Sequence, residues 1–562
     1  MPQSTLSFSR TVASLDPKPS AEELTDLLFR RSKAEAARIE GDELLVEVTP
    51  DRLDLLSEGG LHQHLEGLLG RRLGLPAIPR HDPEGPAPEL IADPSVDPLR
   101  PAVAAILLEA PPGGSLDEGM LAEAVRFQEL LHATIGLDRR TASLGIYPWA
   151  RLRPPITYRS VPVDGLRFTP LDAEQPVDGP TFFEHHPLAL RYGALGRVGG
   201  ECLALLDADG RVLSLPPILN SREAGEARVG DRTLLLESTG QRAARVEDAL
   251  GLLQLPFVAR GWRVAPVRVG HPTRVDTGEA LVRPRRMRLY HSTVATLLGV
   301  PLEDREVREA MERARLGIAP TEGGWSVEVP PWRPDLLGEV DLAEEVILAR
   351  GLRVEEGRRP PSRTRGRRLP EQRLRAAMGE RLLALGFVPL LSPVLVPEEL
   401  TVLMEQDAVP LANPVSLELS RLRNRILIAL VRVLSRNTRH AYPQRIAEVG
   451  PVVLRDPQRE SGTRTSYRVG LAVAGEGAGF ASAASLVDYL LRREQVAGVR
   501  EPVDLPGTIR GRSALLRVAG EPVAEMGELH PRVLSKLGIP VPVAWAEVDL
   551  STLAPLLGRA SS

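Results

Sequence analysis

Val327 to Arg353 reads V-E-V-P-P-W-R-P-D-L-L-G-E-V-D-L-A-E-E-V-I-L-A-R-G-L-R, and its reading decides how the chain is organised. The alternation at Val327 and Val329 predicts a short strand, which Pro330-Pro331 cannot continue. The acidic run from Asp335 to Glu345 then opens a helix whose apolar residues include Leu342, Val346, Ile347 and Leu348. On a helix Asp341, Glu344 and Glu345 stand at i, i+3 and i+4, so all three project from one face, and Asp335 in the preceding turn can reach the same point. Oxygen ligands gathered in this way suit Mg²⁺. The competing reading is that acids collect in the first turn of any helix because they suit its positive end.

An internal repeat bears on that choice. Val46 to Leu61, V-E-V-T-P-D-R-L-D-L-L-S-E-G-G-L, aligns without gaps on Val327 to Leu342. In the first copy Gly60, Gln63 and His64 stand where the second has Asp341, Glu344 and Glu345. The shared residues read as scaffold, and the extra carboxylates as something that only the second copy needs.

The V-P-P-W-R-P-D-L-L-G-E-V-D-L-A-E-E-V-I-L-A-R-G-L run resembles the signature of phenylalanyl-tRNA synthetase beta subunits of the archaeal and eukaryotic type. Its Asp-x5-Asp-x2-Glu-Glu spacing resembles the one that family uses for magnesium, which implies Asp335, Asp341, Glu344 and Glu345 as ligands.

A chain of 562 residues with 43% apolar content has room for about three to five domains. A single cysteine, Cys202, excludes a disulfide framework and a multi-cysteine zinc site. No apolar run approaches the roughly 20 residues of a membrane span, so a cytoplasmic protein with no membrane contact is expected. The formal charge of -4 does not advertise nucleic acid, and any RNA contact must come from local patches.

In chain order, Ser20 to Glu23 reads as a capping box opening a helix with Leu24, Leu27 and Leu28 on one face, within a small α+β module over 1–75. Residues 76–101, rich in Pro, Asp and Glu, read as a linker. Residues 102–266 read as α+β, with strands at 103–108, 143–147 and 202–206 and a helix at 121–131. Within them L-L-D-A-D-G-R-V-L-S-L-P-P-I-L-N-S, from Leu205, forms a hairpin, and L-L-L-E-S-T-G follows, from Leu234. Ser214, Asn220, Glu237 and Thr239 thus offer polar groups at strand ends, where turn and capping residues also gather. The second repeat copy occupies a module over 276–354, a basic connector spans 355–370, and a last domain covers 371–562.

The order of these segments resembles the family throughout. The resemblance implies a multidomain α+β chain: two related small modules, the second of B5 type, a B3/B4-type editing domain, and a class II synthetase-like antiparallel-sheet domain without catalytic motifs. In that editing domain Leu205, Ser214, Asn220 and Thr239 fit the family's pattern, Leu205 as a substrate contact and the others in hydrolysis of the ester. Glu237 sits where the pattern has Asp, and Tyr147-Pro148 replaces a residue followed by Asp. A working class II site carries Phe-Arg-x-Glu and G-x-G-x-x-R to hold ATP phosphates. Here Glu448-Val-Gly450 stands at the first place, and Gly475-Glu-Gly477 has Phe480 where arginine belongs.

The resemblance therefore implies a beta subunit that assembles with a catalytic alpha subunit as an alpha2-beta2 heterotetramer, alpha binding ATP and phenylalanine and charging tRNA(Phe). This chain would carry Mg²⁺ and hydrolyse tyrosine wrongly attached to that tRNA. Two rivals are a stand-alone deacylase acting in trans and a non-catalytic scaffold or RNA-binding paralogue.

Overall fold

The computed structural model describes residues 2–81, 88–272, 274–276, 278–351 and 364–560, which fall into two compact units, 1–357 and 358–562. Both mix helices with sheets whose strands pair mostly antiparallel. Among the described residues no helix is long and apolar enough to cross a membrane.

The two repeat copies fold alike in the first unit. In each, the repeated strand is the centre of a three-stranded antiparallel sheet: Glu43–Val48 lies between Gln3–Ser7 and Ala34–Glu40, and Gly324–Val329 between Arg285–Tyr290 and Gly317–Thr321. In each, a turn then leads into a helix that starts at the matching glutamate, Glu58–Leu68 and Glu339–Arg350. The expected capping box is present: Ser20 Oγ accepts from Glu23 N at 3.2 Å, and Glu23 Oε2 accepts from Ser20 N at 2.8 Å.

Between the modules two sheets pack face to face. A four-stranded sheet has the order Arg263–Pro266, Ala102–Glu109, Thr233–Gly240, Ala142–Pro148. The other runs from Leu219–Asn220 through Val212–Leu215, Glu201–Leu206, Ile156–Pro162 and Glu89–Ala92 to Arg268–His271 and Arg274–Asp276. Side chains alternate across each strand. Val103, Ala105, Leu107 and Leu235 of the smaller sheet therefore meet Leu203, Leu205 and Leu213 of the larger in one core. The smaller sheet's other face, with Ile106, Leu108, Leu234 and Leu236, packs in a core with the helices Glu118–Ala133 and Ala243–Leu253.

One expectation is corrected here. Residues 76–101 are not simply a linker, because Glu89–Ala92 is an inner strand that pairs parallel with both Ile156–Pro162 and Arg268–His271. Leu90 and Ala92 face the core, and a run of four residues flanked by prolines is too short to show its alternation. Residues 82–87 lie outside the described residues, as do Arg358, Arg359 and Arg363 of the basic connector.

The second unit is built on a seven-stranded sheet around the long hairpin Gln444–Arg455 and Thr463–Ala474. The helices Pro370–Ala384, Phe480–Arg493 and Leu550–Ala560 share one core with it, and Leu427–Arg436 packs in a separate core against the same strands.

Candidate functional site

The four carboxylates expected to hold Mg²⁺ do not converge. Asp335 and Glu345 are both taken by Arg333, whose Nη2 lies 2.7 Å from Asp335 Oδ2 and 2.7 Å from Glu345 Oε1. Asp341 Oδ2 instead accepts from the main-chain N–H groups of Leu337 and Gly338, at 2.7 and 2.8 Å, and so caps its helix. Glu344, about half exposed, pairs with Lys33 Nζ at 2.7 Å. Among the described residues no group of three or more His, Cys, Asp or Glu side chains could hold a metal. As arranged, these four side chains do not form one Mg²⁺ site, because an arginine from the same loop already supplies to Asp335 and Glu345 the positive charge that an ion would bring.

What the carboxylates do build is a seam between the repeat copies. Arg52, the counterpart of Arg333, donates to Asp54 at 2.9 Å through both Nε and Nη2, as Arg333 does to Asp335. Arg52 Nη1 also lies 3.6 Å from Glu345 Oε1, so that Glu345 faces both guanidiniums. Burial opposes the charge on Arg333, yet Asp335 and Glu345 hold it protonated well above its ordinary range. His64, at the position equivalent to Glu345, is pushed well below its ordinary value, first by burial and then by Arg52 and Arg333, and stays neutral. Gly60, opposite Asp341 in the alignment, could not be an acid: a Cβ there would come 2.0 Å from the Asp54 carbonyl oxygen.

The expected editing residues come together in part. Ser214, Asn220 and Glu237, from three strands on two sheets, line one cavity of about 180 Å³ at the open edge of the sandwich. Apolar walls are supplied by residues such as Leu121, Leu144, Leu171 and Leu219. Thr239 and Leu205 are not among the lining residues. Thr239 lies behind the wall, its Oγ1 3.0 Å from Ser143 Oγ and its carbonyl bonded by Arg100. Leu205, opposite Ser214 in the ladder, points into the core between the sheets, so the expectation that it contacts substrate is corrected. Both share a sheet face with a lining residue, Thr239 with Glu237 two positions before it and Leu205 with its ladder partner Ser214, so it is their place along and across the sheets that keeps them from the wall.

Glu237 is fully buried. Tyr147 Oη donates to its Oε2 at 2.9 Å, while Oε1 has no hydrogen-bond partner among the described residues. Burial pushes its carboxyl up to about 7, against smaller opposing effects of the Tyr147 hydroxyl and the Arg100 charge. Ser214 Oγ lies 2.9 Å from Tyr147 Oη. With the phenol proton given to Glu237, the serine hydroxyl is the donor of that pair. Asn220 Nδ2 donates to the carbonyls of Ile146 and Gly225 at 3.3 and 3.0 Å, which leaves its Oδ1 to face the cavity.

Sequence reasoning missed the polar rim. Arg139 Nη1 donates to the carbonyls of Pro217 and Ile218 at 3.2 and 2.8 Å, and its Nη2 pairs with Glu129 at 2.8 Å. His132 Nε2 accepts from Leu144 N at 2.8 Å, so its Nδ1 carries the proton and donates to Glu129 at 3.1 Å. Burial works against the Glu129 charge, but His132 and Arg139 bring its carboxyl down to about 2. The signal for Arg139 was conformational: Leu137, Asp138 and Arg139 all have positive φ, of 46°, 56° and 66°, a turn that no spacing rule announces.

In the second unit Glu448 is buried. Arg423 Nη2 donates to its Oε1 at 2.8 Å, and Ser392 holds Oε2. Across the same sheet Glu547 accepts from Leu427 N at 2.7 Å and Arg468 Nη1 at 3.1 Å. Both acids are consumed within their own unit.

Comparison with known proteins places these features. The profile of the tRNA synthetase B5 domain matches residues 287–352, and that of the phenylalanyl-tRNA synthetase beta chain CLM domain matches 357–550. The phenylalanine--tRNA ligase beta subunit of Halorubrum lacusprofundi is 31% identical over 95% of this chain and 96% of its own. That of Natronomonas pharaonis is 31% identical over 97% and 98%, and that of Pyrococcus horikoshii 29% over 90% of each. The crystal structure of an N-terminal fragment of the phenylalanyl-tRNA synthetase beta subunit from Pyrococcus horikoshii superposes with a TM-score of 0.57 at 24% identity, covering 62% of this chain and 99% of that one.

Proposed function

Because this chain belongs to the family of phenylalanine--tRNA ligase beta subunits, we propose that it works in the cytosol beside a catalytic alpha subunit and removes tyrosine wrongly esterified to tRNA(Phe). Alpha, in an alpha2-beta2 assembly, binds ATP and phenylalanine and charges the tRNA. Residues 102–266 form the editing domain and 371–562 the non-catalytic synthetase-like domain. The internal pairing of Glu448 and Glu547 supports the latter, and Val415 and Leu417, 99% and 85% exposed, support a surface that a partner covers.

The observation that carries the editing reading is the single cavity shared by Ser214, Asn220 and Glu237. Ser214 has no base at its oxygen, since its proton is directed to a phenol, so it does not serve as a nucleophile. Water is the attacking group. Asn220 Oδ1 orients it towards the ester carbonyl carbon, the bond to the ribose oxygen breaks, and the water's proton leaves with that oxygen. Apolar walls take the ring of the amino acid, and buried polar groups at the closed end select a side chain that bonds to them.

The test is deacylation of Tyr-tRNA(Phe) by the alpha-beta complex. Asn220→Ala is expected to lower kcat by about a hundredfold, with phenylalanine charging unchanged. An unaltered deacylation rate removes the assignment.

A further inference from the structure

Tyr147 takes no part in the hydrolysis outlined above, yet its buried side chain lines the cavity. Its position follows from three coincident features. Tyr147 and Gly145 lie on the same face of the Ala142–Pro148 strand, and Gly145 stands directly opposite Glu237 in the ladder. Gly145 has no Cβ, and one built there would come 2.2 Å from Tyr147 Oη and 2.5 Å from its Cζ. The ring therefore folds back along its own strand over the glycine. Its Oη meets Glu237 Oε2 at 2.9 Å and Ser214 Oγ at 2.9 Å, one polar group from each sheet.

A carboxyl and a hydroxyl at the closed end of an apolar cavity are the groups that a tyrosyl substrate's phenol would need. With the ring in place the cavity holds about 180 Å³, short of the roughly 300 Å³ at which pockets for small ligands begin.

We propose that Tyr147 is an intramolecular occupant of the phenol subsite, and that a tyrosyl ester enters by displacing it. The inference rests on the editing reading. A tyrosyl group restores both hydrogen bonds that the departing ring gives up. A phenylalanyl group restores neither and would leave two buried polar groups unpaired, so it does not open the site. Tyr147 is thus a specificity-determining residue that lowers apparent affinity for every ester and most for the correct one.

The experiment is steady-state deacylation of Tyr-tRNA(Phe) by the alpha-beta complex with Tyr147→Ala, which removes the ring, and Gly145→Ala, which evicts it while keeping it in the chain. Each is expected to lower KM for Tyr-tRNA by about tenfold or more, with kcat changed much less. An unchanged or raised KM in both variants, with turnover intact, overturns the inference and leaves the editing reading standing. If neither the wild type nor a variant turns over, the editing reading fails, and calorimetry of the Tyr147→Ala complex with p-cresol and with toluene decides. Binding of p-cresol at least about tenfold tighter than toluene supports a phenol subsite. Equal binding of the two, or binding of neither, overturns it.

Discussion

Two clusters of buried charge in the first unit are built on opposite principles. At the seam between the repeats, Arg52 and Arg333 face Asp54, Asp335 and Glu345, and each carboxylate has a guanidinium within 3.6 Å. In the cavity a lone carboxyl, Glu237, has one phenol as a partner and an oxygen with none among the described residues. Buried charge that is paired stays charged and fixes the geometry around it. Buried charge that is unpaired takes up a proton, and its free oxygen remains available to a ligand.

Breaking the seam gives the largest expected effect. Arg333→Met strands Asp335 and Glu345 without their main partner and should cost about 3–5 kcal/mol, read from the denaturation midpoint of the first unit. Adding Asp335→Leu and Glu345→Leu should recover most of that loss, because an apolar seam of similar volume needs no pairing. A loss under about 1 kcal/mol would reduce the seam to the rank of surface ion pairs.

The cavity answers through pH. The Glu237 carboxyl titrates near its ordinary 4.5 in the unfolded chain and at about 7 in the fold. Its stabilising contribution is therefore whole below pH 4.5 and is lost as pH rises to 7. The wild type should lose about 3 kcal/mol relative to Glu237→Gln across that window, measured as the difference in Tm against pH. Parallel profiles for the two proteins would mean that Glu237 is charged throughout and paired like the seam.

The smallest effect separates the helix cap from a metal ligand. Asp341→Ala should cost about 1 kcal/mol through the loss of its cap, equally with Mg²⁺ and with EDTA. A chelator-sensitive midpoint in the wild type that vanishes in the variant would return this residue to the metal reading.

Much of this was legible in the chain itself. The repeat was visible as an ungapped alignment, and its two copies have the same central strand and the same helix start. Ser214 and Asn220 lie near strand ends as expected, Glu237 lies mid-strand instead, and all three do share a cavity. Three things were not legible. Glu89–Ala92 is too short to show a pattern, Arg139 owes its place to a run of positive φ, and Tyr147 reaches Glu237 only because Gly145 opposite leaves room for the ring.

The sequence by itself determined which residues share a face, because that follows from the rise and period of a single helix or strand. Asp341, Glu344 and Glu345 were correctly placed on one helix by this rule. Only the tertiary structure decided what meets those faces. Arg52 comes to Glu345 from the other repeat copy, Lys33 comes to Glu344, and Ser214 comes to the Tyr147 phenol from a second sheet. A carboxylate becomes a metal ligand, an ion-pair partner or a neutral acid according to the charge and solvent placed opposite it, and spacing along one element carries no record of either.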